Sequence, residues 1–142
     1  MFEVRHWMKK TVRTAGPLDT VAHAREVMTR ERINQLPVVA RGKLVGIVTD
    51  RDLREVMPTV FEAAAHQAAG KAKWSDPTEL HVEEIMTPEP VTVSPGDHVA
   101  DAASRLRTER VGSAPVLDDG KLVGILTRSD LLEALMAISR KA

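Results

Sequence analysis

The amino-acid sequence predicts an α/β fold, of the α+β kind, built from two β-α-β-β-α repeats packed about a pseudo-twofold axis. Two observations predict it. Residues 4–58 align with residues 82–136 at a constant offset of 78 without a gap, and 22 of the 55 paired positions are identical. Each copy also carries the same succession of extended and helical patterns. Because a solenoid needs at least about three repeats, two copies are expected to pack face to face.

The first half of each copy combines a short helical turn, an extended segment and a longer helix. The turns are expected at residues 4–8 and 82–86, and the extended segments at 12–14 and 91–93. Asp19 and Asp97 occupy the position expected of a helix N-cap. The apolar residues that follow recur at helical spacing, as Val21, Ala24 and Met28 do in the first copy.

The second half of each copy predicts a β-hairpin followed by a helix. The strands are expected at 36–40 and 44–48 in the first copy, and at 114–117 and 122–126 in the second. Asp119-Gly120 is a strong hairpin-turn sequence. The second strand of each hairpin, called the inner strand, is a continuous apolar run, which predicts burial on both faces. The final helices are expected at 50–57 and 128–138.

The alignment divides the chain into three parts, which are a first repeat (1–58), a linker (59–81) and a second repeat (82–142). The linker contains the alanine-rich segment 61–69, which favours a helix. Gly70 can end that helix, and the Ser-Asp-Pro sequence at 75–77 is typical of a turn.

Composition excludes several classes of function. Of the 142 residues, 43% are hydrophobic and 3% aromatic, so aliphatic side chains must form the core. Lys plus Arg and Asp plus Glu number 20 each, which removes the electrostatic argument for a nucleic-acid partner. The absence of cysteine excludes a disulfide framework and a thiolate nucleophile. No apolar run is long enough for a membrane span and no signal peptide is evident, so a cytoplasmic protein with no membrane partner is expected.

The stretch most informative about function lies where the inner strand of each hairpin ends and a helix begins. It is Gly46-Ile-Val-Thr49-Asp-Arg-Asp52 in the first repeat and Gly124-Ile-Leu-Thr127-Arg-Ser-Asp130 in the second. A helix N-terminus suits a phosphate, and the carboxylate one turn later can accept both hydroxyls of a ribose. The same Thr-x-x-Asp pattern is also a near match to a capping box, which needs no ligand, and both glycines can serve packing alone.

The sequence resembles CBS domains along nearly all of both repeats. The matching segments are Ile85-Met86-Thr87, Val91-Thr92-Val93-Ser94-Pro95, Ala114-Pro115-Val116, 119–130, Leu36-Pro37-Val38-Val39 and 46–53. The linker is similar to that of acetoin-utilisation proteins, which commonly continue into an ACT domain, and no ACT domain is expected in this chain. The resemblance implies a tandem CBS pair, or Bateman module. Such pairs commonly bind AMP, ADP, ATP, S-adenosylmethionine or NAD, some bind cyclic dinucleotides, and some have no known ligand.

The resemblance also implies two ligand clefts, each formed by both repeats. In this family the Thr-x-x-Asp element holds ribose and phosphate, and the partner repeat holds the adenine. One implied cleft pairs Thr49 and Asp52 with Val91, Thr92, Val111, Gly112 and Ala114. The other pairs Thr127 and Asp130 with Arg13, Thr14, Ile33, Asn34 and Leu36. Arg51 and Arg128 flank the motifs, and either contact a polyphosphate or remain solvated.

The two implied clefts differ where the base would lie. Lys-Lys-Thr-Val-Arg at 9–13 replaces the usual Thr-Pro-x-x-Val, and Asn34-Gln35-Leu36 replaces the small residues Gly112-Ser113-Ala114. The cleft with Arg13 is therefore bulkier and more basic, so that its charge grips a phosphate or its side chains fill the pocket. We expect two inequivalent clefts, of which the one with Thr49 and Asp52 is the better nucleotide site.

The sequence predicts neither a metal site nor a catalytic site. The five histidines form no i,i+4 pair, so no protein-built metal site is expected, and Mg²⁺ is expected only as an ion that arrives with ATP. No set of nucleophile, base and stabiliser can be put together, so the preferred hypothesis is a regulatory nucleotide sensor rather than an enzyme, with no required cofactor. The alternative is a ligand-free structural dimerisation module. A neutral chain with apolar helices predicts a homodimer, and a sensor also requires a downstream protein partner.

Overall fold

The helices and the hairpin strands follow the predicted succession in both repeats. The computed structural model describes residues 1–56 and 79–141. In chain order its elements are the 3₁₀ turn η1 (Val4–His6), α1 (Val21–Glu31), β1 (Gln35–Ala40), β2 (Lys43–Thr49), α2 (Asp50–Val56), the 3₁₀ turn η2 (Val82–Glu84), β3 (Thr87–Pro88), α3 (Val99–Glu109), β4 (Ser113–Asp118), β5 (Lys121–Thr127) and α4 (Arg128–Lys141). The mixed α/β class is confirmed. The helix predicted at 61–69 and the turn predicted at 75–77 lie outside the described residues.

Each hairpin turns on two residues with a left-handed backbone. Arg41 and Gly42 have φ angles of 52° and 78°, and Asp119 and Gly120 have φ angles of 52° and 81°. Two consecutive positive φ angles define a type I′ turn, whose twist matches that of antiparallel strands. The hairpin predicted at Asp119-Gly120 is confirmed, and its strands pair antiparallel from Ser113–Thr127 to Asp118–Lys121, with a one-residue register shift between Val116 and Leu117.

The N-caps of the two long helices lie one residue later than the sequence predicts. The Thr20 hydroxyl caps α1 by accepting the backbone N–H of His23 at 3.1 Å. Asp19 instead closes the preceding turn, where its carboxylate accepts the backbone N–H of Gly16 at 2.8 Å. The second repeat has the same arrangement, with His98 capping α3 through the N–H of Ala100 (3.0 Å) and Asp97 closing its turn on the N–H of Ser94 (2.9 Å). The prediction of Asp19 and Asp97 as N-caps was wrong because a short carboxylate is drawn to nearby backbone donors of a turn.

The extended segments predicted at 12–14 and 91–93 form single parallel bridges rather than strands. Ala15 bridges to Val38, and Val93 bridges to Val116. The N–H of Ala15 donates to the carbonyl of Pro37 at 2.9 Å, and the turn that begins at the next residue ends the pairing. The third strand of the first sheet comes instead from β3, which pairs antiparallel with β2.

The chain forms two compact units that do not coincide with the two sequence repeats. The first unit comprises residues 14–40 and 45–88, and the second comprises residues 1–13, 41–44 and 89–142. Each unit therefore holds the body of one repeat together with the leading segment of the other repeat, which is 1–13 in the first repeat and 82–88 in the second. The boundaries predicted at 58 and 82 describe the duplication of the sequence, whereas the folded units exchange their leading segments.

Each unit has its own aliphatic core, and the exchanged segment lies inside it. The buried hydrophobic cluster of the first unit comprises Ala15, Val21, Ala24, Val27, Met28, Leu36, Val38, Val48, Leu53 and Val82. The cluster of the second unit comprises Val4, Val93, Ala102, Leu106, Ala114, Val116 and Leu126. Val82 of η2 and Val4 of η1 are both fully buried, so each 3₁₀ turn is a core element of the unit that receives it. None of the described helices is long and apolar enough to cross a membrane.

Candidate functional site

The first Thr-x-x-Asp element forms a capping box where β2 passes into α2. The hydroxyl Oγ1 of Thr49 accepts the backbone N–H of Asp52 at 3.2 Å, and Oδ2 of Asp52 accepts the backbone N–H of Thr49 at 2.9 Å. Local structure therefore uses this motif as a cap, which is the alternative that its sequence pattern left open. The second carboxylate oxygen of Asp52, Oδ1, has no hydrogen-bond partner among residues 1–56 and 79–141. Both residues are half-buried, and Oδ1 is the carboxylate oxygen that the capping box leaves unused.

The second Thr-x-x-Asp element, between β5 and α4, engages both oxygens of its carboxylate. Oδ2 of Asp130 accepts the backbone N–H of Thr127 at 2.8 Å and the hydroxyl of Thr127 at 3.0 Å. Oδ1 of Asp130 accepts a hydrogen bond from the ammonium of Lys9, with which it forms an ion pair. The side chain of Asp130 is 3% exposed and that of Lys9 is 55% exposed. The two elements share a sequence pattern but present different electrostatic surroundings.

The two motif glycines allow a chain segment to pair closely alongside β2 and β5. A Cβ atom on Gly46 would lie 2.9 Å from the carbonyl oxygen of Thr87, and one on Gly124 would lie 2.8 Å from that of Lys9. Real Cβ atoms do not approach so closely, so these are packing glycines. The segment beside β5 is held in place, since the N–H and the carbonyl of Lys9 both bond to Ile125 at 2.9 Å. This pairing brings Lys9 close to the second Thr-x-x-Asp turn, and its counterpart Thr87 close to the first.

In the first unit, the loop before β1 contacts the first Thr-x-x-Asp turn. The backbone N–H of Asp50 donates to the carbonyl of Asn34 at 2.8 Å. Asn34 and Thr14 are exposed, and Ile33 is half-buried against the core. Leu36 is 1% exposed, and its side chain packs in the core of the first unit.

In the second unit, the loop before β4 contacts the second Thr-x-x-Asp turn in the same way. The backbone N–H of Arg128 donates to the carbonyl of Gly112 at 3.1 Å, and a Cβ atom on Gly112 would lie 3.5 Å from Cζ of Arg128. Ala114 is fully buried and is a core residue, like Leu36. The half-buried residues of this group are Val91, Thr92 and Val111.

The remaining predicted site residues are the flanking arginines and Arg13. The side chain of Arg51 is 83% exposed and lies 3.8 Å from Glu55, one turn further along α2, as expected of a solvated surface residue. Arg13 and Arg128 are also exposed. Each unit thus holds the loop and the Thr-x-x-Asp element of one repeat, with Arg13 in the second unit. The pairing of each element with the loop of the other repeat, which the family resemblance implies, stays a prediction.

The residue that sequence reasoning missed is Lys9. Lys9 replaces the usual threonine and aligns with Thr87, and the sequence pattern alone does not distinguish it from Arg13 as the source of charge. The partner of Lys9 lies 121 residues away, and nothing local points to it. Within the described ranges, no group of His, Asp and Glu side chains could hold a metal ion.

Comparison with known protein families matches both repeats. The family model described as CBS domain matches residues 4–59 and 82–137. A CBS domain-containing protein of Dictyostelium discoideum is 36% identical over 138 residues, which cover 95% of this chain and 92% of that protein. Some relatives are longer, and this chain spans 62% of the full CBSX2 protein of Arabidopsis thaliana.

Solved structures share this fold across nearly the whole chain. The crystal structure of CBSX2 from Arabidopsis thaliana superposes with a TM-score of 0.81 at 30% identity and covers 99% of both chains. CBSX2 in complex with AMP superposes with a TM-score of 0.77 at 28% identity, covering 98% of this chain and 99% of that one. The CBS domain pair of protein MJ0100, in complex with 5′-methylthioadenosine and S-adenosyl-L-methionine, has a TM-score of 0.75 at 28% identity and covers 96% and 97% of the two chains. The acetoin utilization protein AcuB from Vibrio cholerae has a TM-score of 0.74 at 25% identity, covering 99% of this chain and 94% of its own, so the predicted similarity to that group is confirmed.

Proposed function

We propose a function for this chain, which belongs to the CBS domain family as a tandem pair. It is a regulatory protein, and its first Thr-x-x-Asp element binds an adenosine-containing nucleotide. The observation that carries this proposal is the available oxygen Oδ1 of Asp52. A carboxylate that caps its helix with one oxygen and leaves the other without a hydrogen-bond partner is suited to the paired hydroxyls of a ribose. The complexes of CBSX2 with AMP and of MJ0100 with two adenosyl compounds support an adenosine ligand.

The proposed role is regulation, without catalysis and without a required cofactor. A nucleotide regulates only if it binds two states of the protein with different affinities, so the bound state must differ in packing or assembly from the free state. A downstream protein partner would read that difference. The Dictyostelium relative, of which this chain covers 92%, leaves little room for a separate catalytic domain in that protein, which favours a binding function. If the ligand is ATP, Mg²⁺ arrives with its phosphates.

Replacing Asp52 by asparagine is expected to weaken AMP binding by about 10- to 100-fold, since a hydrogen bond to a charged group contributes roughly 1.5–3 kcal/mol. The asparagine carbonyl oxygen can still accept the N–H of Thr49, so the helix keeps its cap and the melting temperature of the free protein should change little. Isothermal titration calorimetry with AMP measures the affinity. A thermal-shift panel of AMP, ADP, ATP, NAD, S-adenosylmethionine and cyclic dinucleotides ranks the ligands, because a ligand at 100 times its Kd stabilises by about 2.7 kcal/mol.

The matched control is Glu55→Gln, which removes the same charge from the same helix at an exposed position outside the motif. Its AMP affinity should equal that of the wild type. A second control is 2′,3′-dideoxy-AMP, which lacks both ribose hydroxyls and should bind as weakly to the wild type as AMP binds to Asp52→Asn. The proposal is contradicted if no member of the panel shifts the melting temperature, or if Asp52→Asn binds AMP as tightly as the wild type.

We also propose that the protein is a homodimer that associates through α4. Three large apolar side chains on one face of this helix are exposed, namely Leu132 (59%), Leu135 (59%) and Met136 (50%). Positions i, i+3 and i+4 form one continuous patch, and a second copy of the same helix related by a twofold axis would cover it. Single exposed apolar residues need no explanation, but a cluster of three marks an interface.

Leu135→Glu is therefore expected to convert the dimer into a monomer, because it places a charge in the centre of the apolar patch. Sedimentation velocity at micromolar concentration measures the change. Leu18→Glu is the matched control, since Leu18 is 68% exposed and stands outside this patch. A wild-type chain that sediments as a monomer, or a Leu135→Glu variant that remains dimeric, refutes the α4 interface.

A further inference from the structure

Lys9 and Thr87 occupy equivalent positions in the two units. They align at the repeat offset of 78 residues, and each lies on a segment that pairs with the second strand of a hairpin. Lys9 pairs antiparallel with Ile125, and Thr87 pairs antiparallel with Ile47. The backbones are therefore matched, and the difference between the two positions is the side chain that each presents.

That difference decides the state of the neighbouring carboxylate. The four-carbon stem of Lys9 carries its ammonium to Oδ1 of Asp130, while Thr127 supplies two donors to Oδ2. In the described part of the chain, Thr87 makes no hydrogen bond or ion pair with Asp52. A threonine hydroxyl sits one bond beyond Cβ, and its reach is correspondingly shorter. Within the described residues, Asp52 thus keeps one carboxylate oxygen without a hydrogen-bond partner, whereas both oxygens of Asp130 are engaged.

We propose that Lys9 closes the second Thr-x-x-Asp element to ribose, so that the chain binds one adenosine nucleotide, at Asp52, rather than two. A ribose at Asp130 would have to displace the ammonium from a carboxylate whose side chain is 3% exposed. That displacement separates an ion pair at a site where water solvates the carboxylate poorly, and neutral hydroxyls restore only part of the lost interaction. The identity of the ligand rests on the proposed function, but the closure of Asp130 does not.

An exchange of the two side chains tests this inference. Calorimetric titration with AMP should give one equivalent per chain for the wild type and two for Lys9→Thr. The second equivalent should disappear when Asp130→Asn is added to Lys9→Thr. Thr87→Lys should weaken binding at Asp52 by about 10-fold or more, because it brings an ammonium to the carboxylate that would hold the ribose. Lys9→Met keeps the length of the stem without its charge, and should also gain the second equivalent.

The outcomes separate this inference from the proposed function. Two equivalents in the wild type, or no additional equivalent in both Lys9→Thr and Lys9→Met, overturn the closure. Loss of AMP binding on replacing Lys9 also overturns it, since Lys9 would then be a phosphate ligand. If the wild type binds no AMP, the proposed function fails while the closure is still decided by whether the Lys9 variants gain one equivalent. If Lys9→Thr does not fold, Lys9→Met and Thr87→Lys decide.

Discussion

Replacing Gly124 by alanine is expected to lower the free energy of unfolding by about 3 kcal/mol, at the upper end of the usual cost of overpacking a core. The added Cβ atom would lie 2.8 Å from the carbonyl oxygen of Lys9. That oxygen cannot move away alone, because the N–H and the carbonyl of Lys9 both bond to Ile125 at 2.9 Å. The leading segment must therefore lift off β5 or the strand must bend. Urea denaturation measures the loss as a lower midpoint at an unchanged slope.

Gly112→Ala is the matched control for this substitution. A Cβ atom at Gly112 would meet the exposed guanidinium of Arg128 at 3.5 Å, which is an ordinary van der Waals contact. Both substitutions restrict the unfolded chain equally, so that contribution cancels in the comparison. We expect Gly112→Ala to change stability by no more than about 0.5 kcal/mol. Equal stability of the two variants would contradict the close approach of the leading segment to β5.

The features that sequence reasoning predicted are those set by neighbouring residues. The turn at Asp119-Gly120 needs two positive φ angles, and these two residue types supply them locally. The capping boxes need only a threonine and an aspartate three positions apart, and both are present as the pattern predicts. Where two local bonds compete, prediction failed, as it did when Asp19 closed a turn and left the cap to Thr20.

The exchange of leading segments could not be predicted from the sequence of either repeat. Val4 and Val82 are identical residues at equivalent positions, and so are Met8 and Met86. Packing of each leading segment on its own repeat or on the other would bury the same side chains in closely similar cores. The hydrophobic pattern is satisfied by both arrangements, and only the tertiary structure distinguishes them.

The closure of the second element follows from that exchange. Lys9 is distant in sequence from Asp130, and it reaches the carboxylate only because the first leading segment packs on β5. The sequence predicts two inequivalent clefts, with the difference assigned to the basic segment 9–13 that ends at Arg13 and to the bulk of Asn34-Gln35-Leu36. The structure identifies a charge four residues before Arg13, and it does so through a contact that the repeat alignment alone does not contain.

Asp130→Ala is expected to lower the free energy of unfolding by about 3 kcal/mol, whereas Asp52→Ala should cost only about 1 kcal/mol. Both substitutions remove the carboxylate that accepts the backbone N–H of the threonine before the helix, and this loss accounts for the cost of about 1 kcal/mol. Asp130→Ala also removes the partner of Lys9 and empties a buried site, in which Asp130 is 2% exposed. We place the cost at the lower end of the range for a broken buried ion pair, because the ammonium left behind on Lys9 is 55% exposed and can be solvated.

A double-mutant cycle between Lys9→Met and Asp130→Asn separates the ion pair from the cap, because asparagine keeps an acceptor for the N–H of Thr127. Residues in direct contact give coupling energies of about 0.5–3 kcal/mol, and we expect a value above 1 kcal/mol here. The same cycle between Thr87→Ala and Asp52→Asn should give a coupling near zero. Equal couplings, or equal costs of Asp130→Ala and Asp52→Ala, would mean that the ammonium of Lys9 contributes nothing at Asp130. Both carboxylates would then act as helix caps alone, and the two elements would be equally open to a ligand.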